Sequence, residues 1–132
     1  MNILEGKITA IKTHGSISLV TLQIGSIFFN TIVIETQDTA AYLQQEHLVK
    51  VMFKETEVVI GKSMDHLVSI QNKVIGEILD IEKGILLSKL TIDTAIGKII
   101  AIITSDAAQQ LQLKVGEHVT AMIKTTEIML SK

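Results

Sequence analysis

The sequence predicts an all-β protein that contains two tandem, five-stranded barrels, each with one short helix. The 132 residues repeat once, with a shift of about 70 residues. Within each repeat, most apolar segments alternate with polar residues or form β-branched runs, as strands do. One segment of each repeat, at 36–43 and 105–111, instead carries alanine, glutamine and leucine after a capping residue, which is typical of a short helix.

The internal repeat is clearest near the ends of its two copies. The segment KETEVVI at 54–60 resembles KTTEIML at 124–130, and Asn2 precedes Asn72 by the same interval. Each copy is small enough to bury little surface by itself, so we expect the two copies to pack on each other. We predict a first domain at residues 1–61, a linker at 62–67 and a second domain at 68–132.

Five short strands are predicted in each repeat. Residues 20–24 alternate between apolar and polar side chains, and 99–103 form an almost continuous β-branched run. Strands at 47–53 and 57–60 follow in the first repeat and have counterparts in the second. Five strands with one helical segment are typical of a small closed barrel of the oligonucleotide/oligosaccharide-binding (OB) type.

The composition argues against several classes of protein. Hydrophobic residues make up 47% of the chain and charged residues 20%, which is typical of a globular domain. There is no cysteine, which excludes thiolate metal sites and cysteine nucleophiles. No apolar run is long enough to span a bilayer, and the first residues lack the features of a secretion signal, so we expect a cytoplasmic protein that does not contact membranes.

Charge and aromatic content argue against nucleic-acid binding. The net charge is −2, all 12 basic residues are lysine, and aromatic residues make up 3% of the chain. A nucleic-acid-binding surface usually combines a basic face with arginine and stacking aromatics. The histidines have no metal-ligand spacing, and no arrangement of side chains resembles a catalytic triad or carboxylate pair. We therefore predict no catalytic residues, no metal site, no cofactor and no enzymatic activity.

The second repeat resembles a known family. It reads SIQNKVIG at 69–76, LQLKVG at 111–116 and VTAMIKTT at 119–126. In order and spacing these segments resemble the Mop family of molybdate-binding domains, a subset of the TOBE domains with the signatures SARNxLxG, LGLxxG and VxAxIK. The first repeat matches more loosely but retains Asn2 and Lys54. The whole chain is similar to the two-repeat molybdate-storage members of that family.

The resemblance implies a fold, an assembly and a function. The fold would be a set of OB-like barrels that exchange strands. Three two-repeat chains would form a homotrimeric ring, with molybdate or tungstate held at interfaces between repeats. The function would be storage or buffering of the oxyanion without catalysis. A regulatory module that senses molybdate for a protein partner is an alternative, and an OB-type nucleic-acid-binding module is a second one.

The chemistry of a tetrahedral dianion indicates which side chains matter. Such an anion needs converging hydrogen-bond donors, which hydroxyls, backbone N–H groups and ammonium groups supply. A site made only of donors also disfavours hydrogen phosphate, because the proton of that anion needs an acceptor. By resemblance, the candidate oxyanion-binding residues are Asn2, Thr36, Thr39, Lys54, Ser69, Gln71, Asn72, Thr104, Lys124 and Thr125. Gln71 replaces the arginine of the family signature.

These residues predict two unequal sites, because the family combines segments of different repeats. The better site would join Ser69, Asn72, Lys124 and Thr125 to the hydroxyls of Thr36 and Thr39. The poorer site would join Asn2 and Lys54 to Thr104. In that site Glu55 follows the lysine where the second repeat has a hydroxyl, and a carboxylate there would repel an anion.

Each candidate also has a structural interpretation. Thr36 and Thr104 could serve as helix caps, and the nearby Asp38 and Asp106 could compete with an anion for the same N–H groups. The two lysines, taken singly, could be solvated residues at strand ends. Duplication copies such residues as readily as it copies functional ones.

Overall fold

The computed structural model describes residues 1–62 and 67–132, so residues 63–66 of the predicted linker lie outside the described part of the chain. The described residues form ten strands, one α-helix and two 3₁₀ turns. The strands are β1 (Asn2–His14), β2 (Ile17–Ile24), β3 (Ile27–Val33), β4 (Leu48–Phe53), β5 (Val59–Gly61), β6 (Asn72–Lys83), β7 (Leu87–Thr94), β8 (Gly97–Thr104), β9 (His118–Ile123) and β10 (Met129–Ser131). The helix is α1 (Ser105–Gln110), and the 3₁₀ turns are Glu55–Glu57 and Thr125–Glu127.

The strands form two antiparallel five-stranded sheets that exchange their last strands. The first sheet has the order β10-β4-β1-β2-β3, and the second has the order β5-β9-β6-β7-β8. Strand β5 of the first repeat pairs with β9 of the second, and β10 of the second repeat pairs with β4 of the first. This arrangement confirms the predicted all-β fold with two OB-like units. Each sheet takes four strands from one repeat and one from the other.

Strand β1 shows how the sequence produces one half-buried face. Its first part buries Asn2, Leu4, Gly6 and Ile8, while the residues between them are exposed or half-exposed. This period of two is the signature of a strand with one face in the core. The first part of β6 repeats the same pattern, and each strand then carries a β-bulge at the same point. A bulge bends its strand and increases the local twist, which helps a five-stranded sheet to curl.

The glycine in the middle of β6 is required by a close approach of the neighbouring strand. A Cβ atom at Gly76 would lie 2.5 Å from Cγ2 of Ile92 and 2.7 Å from the carbonyl oxygen of Asp93. At the matching Gly6 of the first repeat the nearest atom, in the Val51 side chain, would be 3.0 Å away. Both glycines therefore let strands approach where a larger residue would clash, most severely in the second repeat.

The predicted helix is present in the second repeat and is replaced by turns in the first. Thr104 lies 68 residues after Thr36, whereas the buried Leu113 lies 70 residues after the buried Leu43. The first repeat is therefore shorter in this segment, and hydrogen-bonded turns span 36–43 instead of an α-helix. Propensity alone predicts a helix in both repeats, but only the longer segment of the second repeat forms one.

The apolar core extends through both sheets. Buried side chains from the two repeats form one cluster, whose largest members include Phe29 and Phe53 from the first repeat and Ile92 and Ile123 from the second. The residue after β5 adds a polar link: the Lys62 ammonium donates to the carbonyl oxygen of Leu111 at 2.6 Å. No helix in the described part of the chain is long and apolar enough to cross a membrane.

Candidate functional site

Two buried asparagines join each repeat to the edge strand of the other. The amide of Asn72 donates to the carbonyl oxygen of Asn30 at 2.8 Å and accepts from the Asn30 backbone N–H at 2.6 Å. The amide of Asn2 makes the same pair of bonds with the backbone of Ile100, both at 2.8 Å. Each amide therefore acts like one more residue of a β-ladder, and we call the two arrangements the Asn72 clamp and the Asn2 clamp.

The clamps use the amides that the sequence analysis predicted as anion ligands. Asn72 is 0% exposed and Asn2 is 5% exposed, and both polar atoms of each side chain are engaged. Unpaired polar groups are costly in such a setting, so these bonds fix the relative position of the repeats. The structure thus places Asn2 and Asn72 at the interface between repeats, but their side chains bond the backbone of the other repeat.

The 3₁₀ turn that follows Lys124 packs against strand β3 of the first repeat. The buried Thr31 hydroxyl lies 2.8 Å from the carbonyl oxygen of Ile128 and 3.2 Å from that of Thr125, and its single proton is shared between them. Lys124 precedes the turn in an extended conformation and its side chain is exposed. Thr31 therefore anchors the backbone that presents Lys124 and Thr125.

The other interface lacks this anchor. The 3₁₀ turn after Lys54 packs against β8, where Ala101 occupies the position that corresponds to Thr31. Alanine offers no donor to the carbonyl groups of the turn. Among the described contacts, no side-chain hydroxyl anchors the segment with Lys54 in this way; the Asn2 clamp and the ion pair between the Met1 ammonium and Glu55 lie beside it. This difference adds a structural asymmetry to the one that the sequence predicts.

Glu55 places a negative charge beside Lys54. Its carboxylate accepts a hydrogen bond from the Met1 ammonium, and that bond, together with the nearby Lys89 ammonium, holds the pKa of Glu55 below its usual value. Glu55 is therefore ionised at neutral pH. The second repeat has the neutral Thr125 at the matching position. An incoming anion would meet a carboxylate at the first position and a hydroxyl at the second.

Thr36 and Thr39 lie together in a tight turn, where the sequence predicted the start of a short helix. The Thr39 hydroxyl accepts from the Thr36 backbone N–H at 2.8 Å and donates to the Thr36 carbonyl oxygen at 3.2 Å. The two hydroxyls are 3.4 Å apart. In the second repeat the Thr104 hydroxyl accepts from the Ala107 backbone N–H at 3.1 Å, so Thr104 is the N-cap of α1. The hydroxyl of Thr104 thus caps a helix, which is the structural role considered for it in the sequence analysis.

The remaining candidates lie at the surface. Ser69 and Gln71 precede β6 and are exposed. No hydrogen bond in the described part of the chain joins either of them, or Lys124, to the turn formed by Thr36 and Thr39. A surface groove of about 360 Å³ is lined by the chain just before Thr36 and by Thr126. No described hydrogen bond therefore joins the predicted halves of the better site within one chain.

A second titratable pair borders that groove. The Tyr42 hydroxyl donates to the Glu35 carboxylate at 2.6 Å. Burial, together with this hydrogen bond and the Glu35 charge, raises the pKa of Tyr42 to about 12. Tyr42 therefore stays protonated and keeps the carboxylate next to Thr36 hydrogen-bonded.

Sequence reasoning missed Asn30 and Thr31. They do not match a motif, and they lie in a strand whose other residues are largely apolar. A signal was present, because the corresponding residues of the second repeat are Ile100 and Ala101. Two adjacent polar residues at positions that are apolar in the other repeat indicate a contact that the repeats do not share.

Comparison with known proteins agrees with this architecture. The TOBE domain model matches residues 68–130. Molybdenum-pterin-binding protein 1 of Clostridium pasteurianum is 33% identical over 64 residues, which cover 48% of this chain and 94% of the relative. Molybdenum-pterin-binding protein MopB of Rhodobacter capsulatus is 35% identical over 72 residues, or 54% of this chain and 27% of the relative.

A solved structure has the same fold over the whole chain. The cytoplasmic molybdate-binding protein ModG, in a crystal form with molybdate bound, superposes with a TM-score of 0.90. The sequences are 22% identical, and the match covers 98% of this chain and 94% of ModG. Fold and interfaces together define a tandem OB-like protein whose repeats complete each other. The chain belongs to the TOBE-domain family of molybdenum-pterin-binding proteins, which confirms the resemblance seen in the sequence.

The Asn72 clamp generates a test of stability. We expect Asn72→Ala to lower the free energy of unfolding by about 2–4 kcal/mol, because it leaves a buried backbone N–H and carbonyl group unpaired. Asn30→Ala is the control: it keeps the clamped backbone and loses only the 2.8 Å bond from Thr21, so about 1 kcal/mol is expected. Urea unfolding followed by circular dichroism measures both. Equal losses in the two variants would contradict the clamp.

Proposed function

We propose that the protein binds molybdate or tungstate at the interfaces between its repeats, and that it stores or buffers the anion without catalysis. The observation that carries this proposal is the anchored turn at Lys124 and Thr125, where an exposed ammonium and a neutral hydroxyl lie side by side on a backbone held by Thr31. The relatives named for molybdenum-pterin or molybdate binding support it. We propose residues 1–61 and 68–132 as the two domains.

The proposed site contains donors from both repeats. Lys124, Thr125 and Ser69 would supply an ammonium and hydroxyls, and Thr36 and Thr39 would supply hydroxyls across the interface. Gln71 would contribute its amide or backbone N–H in place of the arginine of the family signature. Asn72 would act through the clamp, which sets the distance between the two halves. Charge-assisted hydrogen bonds of this kind are stronger than neutral ones, so Lys124 would dominate the affinity.

The corresponding position in the first repeat would bind the anion weakly. Lys54, Asn2 and Thr104 are present, but the Glu55 carboxylate follows the lysine and the Asn2 amide is already bonded to the Ile100 backbone. Two unit charges near 4 Å repel by about 1–4 kcal/mol, depending on the local dielectric. A repulsion of that size lowers affinity by about fivefold to a thousandfold, and the Met1 ammonium paired with Glu55 offsets part of it.

No described hydrogen bond joins the two halves of the better site within one chain, which favours completion of the site in an assembly. We propose a homo-oligomer, with three chains in a ring as the family resemblance implies, located in the cytoplasm. Apolar side chains on the surface are consistent with contacts between copies; Ile34 and Leu48 are 81% and 67% exposed. Exposed apolar side chains concentrated in patches mark interaction surfaces.

Isothermal titration with molybdate tests the proposal, with sulfate and phosphate as competing anions and light scattering for mass. We expect Lys124→Ala to weaken molybdate binding by about tenfold to a hundredfold, because a charge-assisted hydrogen bond contributes about 1.5–3 kcal/mol. The matched variant Lys54→Ala should change the affinity of the tight sites less than threefold. Wild-type protein that binds no molybdate, or equal losses in the two variants, would contradict the proposal.

The anchor at Thr31 generates a second test. Thr31→Val keeps the shape of the side chain and removes the hydroxyl that holds the turn, so molybdate affinity should fall about fivefold, as the loss of about 1 kcal/mol implies. Thr21→Val is the control, because its hydroxyl bonds Asn30 at a similar distance without touching the turn. The molybdate affinity of Thr21→Val should match that of the wild-type protein. An unchanged affinity in Thr31→Val, while wild-type protein binds, would contradict only the anchoring role.

A further inference from the structure

The second repeat has a surface cavity apart from the clamps and the 3₁₀ turns. Its volume is about 600 Å³, within the range of small-molecule pockets. It lies between helix α1 and the loop that joins β6 to β7. Its polar lining includes Lys83, Lys114, Asp106, Gln109 and Gln112. None of the residues proposed to bind molybdate lines it.

Three features that distinguish the second repeat from the first meet at this cavity. One wall is α1, which is longer than the corresponding turns of the first repeat. Lys83 occupies the position of Thr13, since each pairs with the first serine of the next strand. The apolar Ile85 and Leu86 replace Gly15 and Ser16 at the loop. Repeats that share a fold need not share a site, so differences concentrated at one place point to a local role.

In the matching region of the first repeat, the side chain at the position of Lys83 is bonded within the repeat. There the Thr13 hydroxyl bonds the Ser18 hydroxyl at 2.8 Å, and Ser18 donates to the Glu35 carbonyl oxygen at 2.6 Å. In the second repeat the buried Ser88 bonds Ser105, which donates to the Gly84 carbonyl oxygen at 2.7 Å. The lysine that replaces Thr13 is thus left free to face a ligand.

Several donors at the cavity have no partner in the described part of the chain. The side chains of Lys83, Lys114, Gln109 and Gln112 make no hydrogen bond or ion pair with another described residue. The lining contains two lysines and one carboxylate, that of Asp106, so its formal charge is net positive. Ammonium groups bind phosphate and carboxylate oxygens through charge-assisted hydrogen bonds.

The floor and rim of the same cavity are apolar. Ala108 and Leu113 are buried below it, and Ile81 packs against the core beside them. Ile85 at the rim is 97% exposed, so this large side chain has almost no cover from the protein itself. A bare inorganic anion would use the lysines and leave this apolar surface in water, whereas a ligand with an apolar body would cover it.

We propose that this cavity binds a small organic anion, with a phosphate or carboxylate group at Lys83 and Lys114 and an apolar or ring-shaped body against Ile81, Ile85 and Leu113. The glutamines supply amide groups that can bond polar atoms on the body of the ligand. The site is separate from the interface between repeats and belongs to the second repeat alone. It therefore gives the chain a second class of ligand besides the oxyanion.

The test uses phenyl phosphate as the probe, titrated into full-length protein and followed by ¹H–¹⁵N chemical shifts. Inorganic phosphate carries the charge without the body, and benzyl alcohol carries the body without the charge. The double variant Lys83→Thr/Lys114→Gln removes both ammonium groups. Its control is Lys12→Thr/Lys50→Gln, which removes two exposed lysines of the first repeat that do not line the cavity. Thermal unfolding checks that both variants fold.

We expect phenyl phosphate to shift the amide signals of α1 and the loop before β7, and to bind about tenfold more weakly to Lys83→Thr/Lys114→Gln than to the control. Inorganic phosphate and benzyl alcohol should both bind more weakly than phenyl phosphate. The proposal is overturned if phenyl phosphate does not bind, if the two double variants bind it equally, or if inorganic phosphate binds as tightly. Molybdate titration of the same variants should match wild type, which separates this site from the oxyanion site.

Discussion

The reciprocal pairing of one repeat with the backbone of the other is the constraint on which the rest of the structure depends. Strands β5 and β10 each complete the sheet of the opposite repeat, and the Asn2 and Asn72 clamps extend the edge strands β8 and β3. Each clamp satisfies a backbone donor and acceptor that would otherwise lie unpaired at a buried edge. Because each repeat contributes a strand and a clamp to the other, neither repeat can shift without breaking hydrogen bonds in the other. A rigid interface of this kind can hold converging donors at fixed separation, which a small anion requires.

Duplication produced two interfaces with the same arrangement of strands, and a few substitutions made them unequal. Thr31 anchors one turn while Ala101 offers the other no donor, and Thr125 stands where the first repeat has Glu55. Each change acts in the same direction, because a held backbone favours binding and a neighbouring carboxylate opposes it. The second repeat also diverges at its far end, around Lys83 and Lys114. Divergence at both ends suggests that the two repeats share a scaffold and differ in what they recognise.

The sequence predicted the fold well because its signals are local and repeated. Period-two alternation fixed the buried face of strands such as β1, and the 70-residue shift marked the second copy. The helix predicted for the first repeat is replaced by turns, in a segment two residues shorter than its counterpart in the second repeat, since Thr36 to Leu43 is seven positions and Thr104 to Leu113 is nine. Asn72 was predicted as an anion ligand, whereas its bonds to the Asn30 backbone depend on strand exchange between the repeats. Thr31 could not be found from a motif, since its role exists only where the second repeat's turn reaches β3. Packing between the repeats determines these contacts, and local propensity carries no information about that packing.

The most direct measurement is anomalous diffraction from crystals grown with molybdate, recorded on both sides of the molybdenum absorption edge. The anion is then located by its own scattering, independently of assumptions about the ligand. An anomalous peak beside the Lys124 ammonium and the Thr125 hydroxyl, with a weaker peak or none beside Lys54 and Glu55, is the predicted result. A peak that lies only beside Lys54, or crystals in which molybdate binds away from both turns, would contradict the asymmetric interface site.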